Sequence, residues 1–195
     1  MLFRSATAGA FPLSPLLGGA SASVNGAAAP LLYVGPNQIN FLVPVLLSGN
    51  AAVIVTVGGV QTVARNVPVR DTAPEIFVLP HGRAATVNQD GSVNSADQPA
   101  PAASAVAVYA TGLGAVNPPV PTGAQAPTVS LSRVTATVTA TVGGQPGAVL
   151  FAGLAPGWAG LYQVNLVVPQ LAPGDYPVQI SAGDVTSNAA TISIR

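Results

Sequence analysis

The chain has 195 residues, of which 49% are hydrophobic and only 6% are charged, and its formal net charge at pH 7 is zero. All six basic residues are arginines scattered along the chain, so neither the positive footprint of a nucleic-acid-binding protein nor attraction to an anionic membrane surface is expected. The sequence has no cysteine and one histidine, which excludes disulfides, thiolate chemistry and multi-histidine metal sites.

Short β-strands are the predicted elements throughout. The 19 prolines and 21 glycines interrupt every helical pattern, while short runs of β-branched residues recur between turn signals. No segment supplies the roughly 18 uninterrupted apolar residues of a membrane-spanning helix, so we expect no membrane insertion. The sequence therefore predicts an all-β fold with strands, in chain order, at residues 21–25, 31–34, 38–43, 52–57, 61–69, 75–79, 83–88, 92–94, 105–110, 134–142, 148–151, 161–168, 176–182 and 185–194.

An internal repeat divides the chain. The segment 38–44 (QINFLVP) recurs at 163–169 (QVNLVVP), an offset of 163 − 38 = 125 residues. Upstream, residues 31–33 match residues 149–151 at an offset of 149 − 31 = 118, so the second copy carries 125 − 118 = 7 extra residues between the two matches. Copies of this length exceed the periods of solenoids and propellers, so each should be a whole domain. We predict two tandem β-sandwich domains, residues 1–72 and 75–195.

The repeated strand has one apolar face and one polar face. Its apolar positions are Ile39, Phe41 and Val43 in the first copy and Val164, Leu166 and Val168 in the second. This alternation is typical of a half-buried sandwich strand, and the proline that follows each copy ends it. We therefore expect all six apolar side chains to be buried in equivalent cores.

The first domain is predicted to lack its opening strand. In the second copy that strand lies at residues 105–110, and subtracting the 118-residue offset places its counterpart before residue 1. We therefore expect the chain to be an N-terminally truncated fragment, with an open strand edge in the first domain. Residues 1–14 lack the pattern of an export signal, which agrees with this expectation. The alternative is an authentic start with a naturally smaller first domain.

Four segments carry a resemblance to a known family. Residues 29–44 (APLLYVGPNQINFLVP), 88–95 (NQDGSVNS), 109–114 (YATGLG) and 151–165 (FAGLAPGWAGLYQVN) together resemble the Solibacter-type uncharacterised C-terminal domain family of Acidobacteria. Residues 109–114 are also similar to the opening strand of IPT/TIG immunoglobulin-like domains. The resemblance implies tandem immunoglobulin-like sandwiches at the C-terminus of a secreted or cell-surface bacterial protein. It implies no activity and transfers no functional residues.

Catalytic chemistry is not expected. His81 is the single histidine and stands between Pro80 and Gly82, which favours a surface turn over a catalytic base. Glu75 is the single glutamate, and the aspartates lie beside turn residues. We therefore predict a protein that is not an enzyme and needs no cofactor.

One segment has a spacing that resembles a metal site. Read as a twelve-residue calcium loop, residues 86–97 place oxygen-bearing side chains at the third, fifth, ninth and twelfth positions, which are Asn88, Asp90, Asn94 and Asp97. Threonine stands at the first position, where such loops have aspartate, and no helices flank the segment. The alternative is a hairpin that turns at Asp90 and Gly91, and we favour it.

Trp158 lies in the part of the second copy that is longer. An aromatic ring in a glycine-rich loop can stack on a sugar, or it can fold back as a lid over the end of a sandwich. We favour the lid, because a large ring left in water forgoes a few kcal/mol of burial. The sequence thus leaves two functions open. The first is a structural or interaction module, whose partners are other domains of the same polypeptide or cell-surface molecules. The alternative is a carbohydrate-binding module that takes a polysaccharide on Trp158 and Tyr162. A clustered, exposed aromatic face beside Asn or Gln would favour the alternative, whereas scattered, buried aromatic side chains would favour the structural role.

Overall fold

The computed structural model describes residues 5–44 and 49–195. The described chain is almost entirely β, which confirms the predicted fold class. It forms two compact units: Met1–Asp71 with Val120–Ala126 and Gly157–Gly160, and Thr72–Pro119 with Pro127–Pro156 and Leu161–Arg195. Two loops of the second copy thus belong to the first unit, which the sequence did not predict. Within the described residues, no helix is long and apolar enough to span a membrane.

The first unit consists of two small sheets. One has the strand order β1-β5-β6; the other has the order β2-β3-β7-β8, with β4 on β3 and β9 on β7. Their strands are β1 (Ala6–Thr7), β2 (Leu16–Leu17), β3 (Ala20–Val24), β4 (Ala27–Ala29), β5 (Leu31–Gly35), β6 (Gln38–Phe41), β7 (Gly49–Val57), β8 (Val60–Gln61) and β9 (Arg65–Val69).

The second unit forms a continuous path of paired strands, in the order β10-β14-β19-β18-β17-β20-β22-β12-β11. Beside this path, β13 pairs with β14, β15 with β16, β16 also with β18, and β21 with β20. The strands are β10 (Glu75–Ile76), β11 (Val78–Leu79), β12 (Arg83–Ala84), β13 (Thr86–Asn88), β14 (Ala105–Thr111), β15 (Val116–Asn117), β16 (Arg133–Val134), β17 (Val138–Val142), β18 (Gln145–Leu154), β19 (Tyr162–Val167), β20 (Gly174–Ala182), β21 (Val185–Thr186) and β22 (Ala190–Ile194); a 3-10 turn covers Pro80–Gly82. The first residues of β18 pair with β17 and the rest with β19, so this strand passes from one layer to the other.

The strand registers of the two units coincide at the two sequence offsets. The β3–β4 hairpin pairs Val24 with Ala27, and the β17–β18 hairpin pairs Val142 with Gln145, each position shifted by 118. In β5–β6 the register shifts between Leu31 and Tyr33, and in β18–β19 it shifts at the equivalent place, between Val149 and Phe151. The pairings β3–β7, β7–β8 and β7–β9 likewise repeat as β17–β20, β20–β21 and β20–β22. The repeat in the sequence is therefore a repeat in strand pairing.

A proline explains one difference between the copies. Pro30 occupies the position equivalent to Ala148, inside the long strand β18. Because proline has no N–H to donate to a ladder, the first copy breaks at this point into β4 and β5. The carbonyl of Pro30 still accepts a hydrogen bond from the N–H of Leu42 at 2.9 Å, so the pairing at this position is kept, as between the equivalent residues Ala148 and Val167.

The core of the second unit is well closed. Val164, Leu166 and Val168 are fully buried at 0% exposure, as predicted, and they pack with Val106 and Val108 of β14. The same prediction was wrong for the first copy. Ile39 and Phe41 point to the core but are only half-buried, and Val43 is 52% exposed.

The physical reason is a vacant position beside β6. In the second unit β14 pairs with β19, whereas in the first unit nothing within residues 5–44 and 49–195 pairs with the corresponding edge of β6. Strand β1 pairs with β5 instead, on the side of β5 that faces away from β6. Among the described residues, this edge of β6 is therefore unpaired, and it leaves this side of the first core uncovered.

Candidate functional site

Trp158 lies at the tip of a short glycine-framed loop that belongs to the first unit. Gly157 and Gly160 have φ values of +80° and +66°, a backbone region that L-residues with side chains rarely adopt. A Cβ at position 160 would also collide with the side chain of Leu42. Ala159 is buried, so the loop is anchored beside Leu42 while its neighbouring indole points outward.

Hydrogen bonds to a second loop hold this tip. The N–H of Gly157 donates to the carbonyl of Ala126, and the N–H of Ala126 donates to the carbonyl of Trp158, both at 2.9 Å. The side-chain amide of Gln125 donates to the carbonyl of Gly157 over 2.9 Å. The backbone on both sides of the indole is therefore fixed by residues 125–126.

The indole of Trp158 is 58% exposed. Leaving a large ring in water forgoes a few kcal/mol of burial, so a lid would be expected to bury it. The structure instead presents the ring to solvent, with the exposed Gln125 beside it. An exposed ring beside an amide meets only part of the criterion for the carbohydrate-binding alternative, because the other aromatic of that prediction, Tyr162, is half-buried and the two form no exposed cluster. We define Trp158 and Gln125 as the indole platform.

Tyr162 lies in the other unit and in a different environment. The ring is half-buried in β19, and its hydroxyl donates to the carbonyl of Gly114. Burial raises the pKa of the Tyr162 hydroxyl, which keeps it protonated as a donor. Its polar group is therefore already used within the second unit.

The segment with calcium-like spacing is a hairpin in the second unit. The N–H of Asn88 donates to the carbonyl of Ser92, and the N–H of Asn94 donates to the carbonyl of Thr86. The carboxylate of Asp90 accepts from the backbone N–H of Ser92 at 3.0 Å and from its hydroxyl at 2.6 Å. These hydrogen bonds hold the pKa of Asp90 below its ordinary value. Asp97 is exposed.

The two asparagines of this hairpin form a buried polar link. Asn94 donates to the side-chain oxygen of Asn88 over 3.0 Å, and Asn88 donates to the carbonyl of Gln98 over 2.8 Å. Asn94 also exchanges two hydrogen bonds with the backbone of Ser193 in β22. Both amide oxygens that the sequence offered as calcium ligands thus accept hydrogen bonds inside the protein. Among the described residues, no group of three or more His, Asp or Glu side chains converges.

A shallow depression of about 280 Å³ lies beside the hairpin. Its lining residues are Asn88, Gln89, Asp90, Pro101, Ser104 and Arg195. The side-chain oxygen of Gln89 accepts from the N–H of Ala105, and the Ser104 hydroxyl donates to the carbonyl of Pro101. The polar groups of this depression thus stabilise the start of β14.

The ionic contact of the second unit is structural as well. Arg83 donates to the carboxylate of Asp175 at 3.4 Å and to the hydroxyl of Ser193, which in turn donates to Asp175. These contacts, that of Ser193 first, hold the pKa of Asp175 below its usual value. No sequence signal could have shown that Arg83 and Asp175 meet, because 92 residues separate them.

His81, the predicted surface-turn histidine, is exposed in the 3-10 turn and has a φ of +64°.

Comparison with known proteins adds little. No protein-family model and no curated protein matches the chain. Among solved structures, it is similar to SGBP-B of the mixed-linkage glucan utilization locus of Bacteroides ovatus, in complex with a mixed-linkage heptasaccharide. The identity is 15% and the TM-score 0.35, over 90% of this chain and 36% of that chain. The chain thus spans about a third of the length of that protein, and a likeness of this size identifies no ligand.

Proposed function

We propose that the chain is a non-catalytic binding module that holds a neutral polysaccharide on the indole platform. The observation that carries the proposal is the exposed indole of Trp158 on a backbone fixed by hydrogen bonds. Because the backbone that carries the ring is fixed before binding, the loop itself loses little conformational entropy when a ligand arrives. Such a ring is suited to the apolar face of a sugar.

The surroundings of the platform fit an uncharged ligand. The chain has zero formal net charge, and 6% of its residues are charged, so no strong field selects an anion or a cation. The exposed Gln125 offers its amide oxygen as an acceptor and one remaining N–H as a donor to sugar hydroxyls, because its other N–H bonds the carbonyl of Gly157. A single stacked ring with one amide gives weak affinity, with a Kd on the order of 1 mM, or about 4 kcal/mol. Useful retention then depends on many contacts with a polymer.

The platform does not include Tyr162. Its hydroxyl is used by Gly114, and its ring belongs to the fold of the other unit. We therefore assign ligand contact to Trp158 and treat Tyr162 as part of the scaffold.

A non-catalytic role is supported by the titratable groups. The pKa values of Asp90 and Asp175 are both lowered by hydrogen bonds from serine side chains. A general acid needs a raised carboxyl pKa, so these two groups act as structural acceptors. We further propose, with the family resemblance, that the module is displayed by a secreted or cell-surface bacterial protein.

Affinity gel electrophoresis with soluble polysaccharides tests the proposal. The neutral polymers are β-glucan, xylan and mannan, and the anionic control is pectin. We expect a neutral polymer to retard the wild-type protein and Trp158→Ala to lose this retardation, with partial recovery in Trp158→Tyr. Leu150→Ala, which truncates another exposed side chain, is the matched control and should behave like wild type.

Fluorescence gives an independent readout, because Trp158 is the single tryptophan of the chain. Stacking on a sugar removes water from the indole, so its emission should shift to shorter wavelength as polysaccharide is added. If no neutral polymer retards the wild-type protein, or if Trp158→Ala is retarded as strongly as wild type, the indole platform does not bind polysaccharide. The structural or interaction module would then be the better interpretation.

A further inference from the structure

We infer that the outer face of the β14–β19–β18 layer in the second unit is a second binding surface for a neutral sugar chain. Its ligand class is that of the proposed function, on which this second site therefore rests. The surface is formed by Phe77, Tyr109, Gln163, Asn165 and Arg133, and we call it the amide face. All five residues belong to the second unit, whereas the indole platform belongs to the first.

Strand registers place four of these side chains in one row across the sheet. The N–H of Phe77 donates to the carbonyl of Tyr109 at 3.1 Å, and Tyr109 lies opposite Gln163. Gln163 in turn lies opposite Gly153, which lies opposite Arg133. Residues that lie opposite each other in a sheet point to the same side. Four steps of about 4.8 Å between neighbouring strands give the row a length of about 19 Å, which is enough for several sugars.

The row lies on the side of the sheet that faces away from the core. Val108 and Val164, each next to a member of the row, are fully buried, so the members of the row point outward. Ile76 is buried as well, and alternation turns Phe77 to the outer side, where it is 45% exposed. The row is therefore accessible to a ligand.

The two amides at the centre of the face are oriented before any ligand arrives. The side-chain nitrogen of Gln163 donates to the side-chain oxygen of Asn165 at 2.8 Å. The Gln163 oxygen, the Asn165 nitrogen and the hydroxyl of Tyr109 bond to no residue of the described chain, and none of these atoms is buried, so all three reach solvent. Sugar hydroxyls both donate and accept hydrogen bonds, and the amide pair offers both functions.

Flat groups flank the amides on both sides. On one side are the rings of Phe77 and Tyr109, of which the first is exposed and the second half-buried. On the other side the guanidinium of the exposed Arg133 lies 5.0 Å from the centre of the Phe151 ring. Phe151 lies opposite Asn165, so its ring holds the guanidinium over the same face. The two outer rings suit the apolar face of a sugar, and the guanidinium offers further donors to hydroxyls.

The charges at the ends of the face favour an uncharged ligand. Arg133 stands at one end, and the exposed Glu75, two residues before Phe77, stands at the other. A strongly anionic polymer that lies along the row would be attracted by Arg133 and repelled by Glu75. A neutral sugar chain avoids this repulsion and still uses the rings and the amides.

The first unit repeats the amide pair without the two outer rings. The side-chain nitrogen of Gln38 donates to the side-chain oxygen of Asn40 at 2.7 Å, and Tyr33 lies opposite Asn40. Among residues 5–44 and 49–195, nothing pairs with the other side of β6, where the rings would stand. The amide bond is thus common to both units, and the rings of Phe77 and Tyr109 distinguish the face of the second.

Nuclear magnetic resonance of the full chain tests the amide face, with neutral hexasaccharides of β-glucan, xylan and mannan and an acidic hexasaccharide of pectin. We expect a neutral hexasaccharide to shift the side-chain amide signals of Gln163 and Asn165 saturably, with a Kd on the order of 1 mM. The signals of Gln38 and Asn40 are the internal control and should shift little. Trp158→Ala should leave this Kd within about twofold. A site this weak gives little retardation in a gel by itself, so the loss of retardation expected for Trp158→Ala is unchanged.

Two variants probe the two kinds of contact. Phe77→Ala removes an exposed ring and Gln163→Ala removes the central amide, and each should weaken binding by about tenfold. In Gln163→Ala the reporting signal is that of Asn165. Val78→Ala is the matched control, because it truncates the next side chain, which is 51% exposed and lies outside the row, and it should leave the affinity within about twofold. Backbone amide spectra show whether the three variants are folded.

The outcomes separate this site from the indole platform. Shifts at the amide face that persist in Trp158→Ala support it, even if the gel shows no role for the indole. Retardation that depends on Trp158, without shifts at Gln163 and Asn165, overturns the amide face and leaves the proposed function standing. Binding that Phe77→Ala leaves unchanged, shifts that vanish in Trp158→Ala, or shifts with the acidic hexasaccharide alone would also overturn it.

Discussion

The side-chain amide of Asn94 pairs with both backbone groups of Ser193. The N–H of Ser193 donates to the amide oxygen over 2.7 Å, and the amide nitrogen donates back to the Ser193 carbonyl over 2.9 Å. Both residues are buried, at 2% and 3% exposure. One side chain thus takes the place of a neighbouring strand and links the 86–94 hairpin to β22.

Asn94→Ala should therefore destabilise the second unit by about 2–4 kcal/mol, because buried backbone groups would lose their partners. Asn94→Asp should also destabilise it, since a carboxylate would face the Ser193 carbonyl. Hydrogen exchange of the β22 amides in increasing urea measures the loss. Asn37→Ala, in an exposed turn, is the control. A loss below about 0.5 kcal/mol in Asn94→Ala would show that the link is unimportant.

Two equivalent glycines should respond differently to the same substitution. A Cβ at Gly153 would collide with the backbone carbonyl of Ser132 and with the ring of Phe151, whereas the atoms nearest to a Cβ at Gly35 all belong to the side chain of Tyr33. Backbone cannot move aside, but the half-buried Tyr33 can rotate.

We expect Gly153→Ala to destabilise its unit by about 2–3 kcal/mol and Gly35→Ala to destabilise the other by less than about 1 kcal/mol. Urea unfolding followed by hydrogen exchange in each unit distinguishes the two. Equal losses would mean that the aromatic ring, and not the backbone, limits both positions.

Val43 and Val168 provide a second matched pair. Val168 is fully buried, so Val168→Ala leaves a cavity and should destabilise the second unit by about 2 kcal/mol. Val43 is largely exposed, so Val43→Ala should change the stability of the first unit by less than about 0.5 kcal/mol. The same unfolding measurement applies to both. A large loss in Val43→Ala would require a partner that covers this edge.

Asp175 should make a small pH-dependent contribution to stability. Its pKa is lower in the folded protein than the ordinary value of 3.8, so the unfolded chain binds the proton more readily. The contribution is therefore complete above pH 3.8 and is lost as the pH falls through the lower folded value. The side chain is 55% exposed, which limits the effect to less than about 1 kcal/mol.

Asp175→Asn should remove the pH-dependent contribution of this carboxylate to the free energy of unfolding. Over the window of about one to two pH units between pH 5 and the acid transition, the variant should therefore lose less stability than wild type. Acid titration followed by circular dichroism measures it. Asp184→Asn, which removes the same charge from a turn, is the control for the change in net charge. Identical slopes in all three proteins would show that the contact with Ser193 and Arg83 does not influence folding.

Pattern alone was sufficient for the parts of the fold that depend on local alternation. The two offsets correctly placed the hairpins and the apolar faces, because strand pairing between neighbours follows the period of two and the turn positions. The sequence treated 134–142 as one strand, whereas β16 and β17 are separate. Strand β1 was missed because its two residues carry no alternation.

The polar residues could not be interpreted from spacing. Asn88 and Asn94 stand where a calcium loop has ligands, but their function depends on Ser193, which lies 99 residues beyond Asn94. Likewise, sequence could not show that Trp158 is exposed, because its loop is held by hydrogen bonds to Gln125 and Ala126, which are distant in the sequence. Both the role of the two asparagines and the exposure of Trp158 therefore depend on residues that are distant in the sequence.

The seven-residue difference between the copies lies entirely outside the strand ladder. The shorter hairpin closes at Gly35 and Gln38, and the longer one keeps the equivalent pair, Gly153 and Gln163, before its loop begins. The N–H of Ala155 donates to the carbonyl of Leu161 at 2.8 Å and clamps the longer loop at its base. Because the entropic cost of closing a loop grows only slowly with its length, this end of the hairpin is a suitable position for inserting other loops. Libraries of loops inserted between residues 155 and 161 could therefore be displayed and selected for new ligands without a change of register in the scaffold.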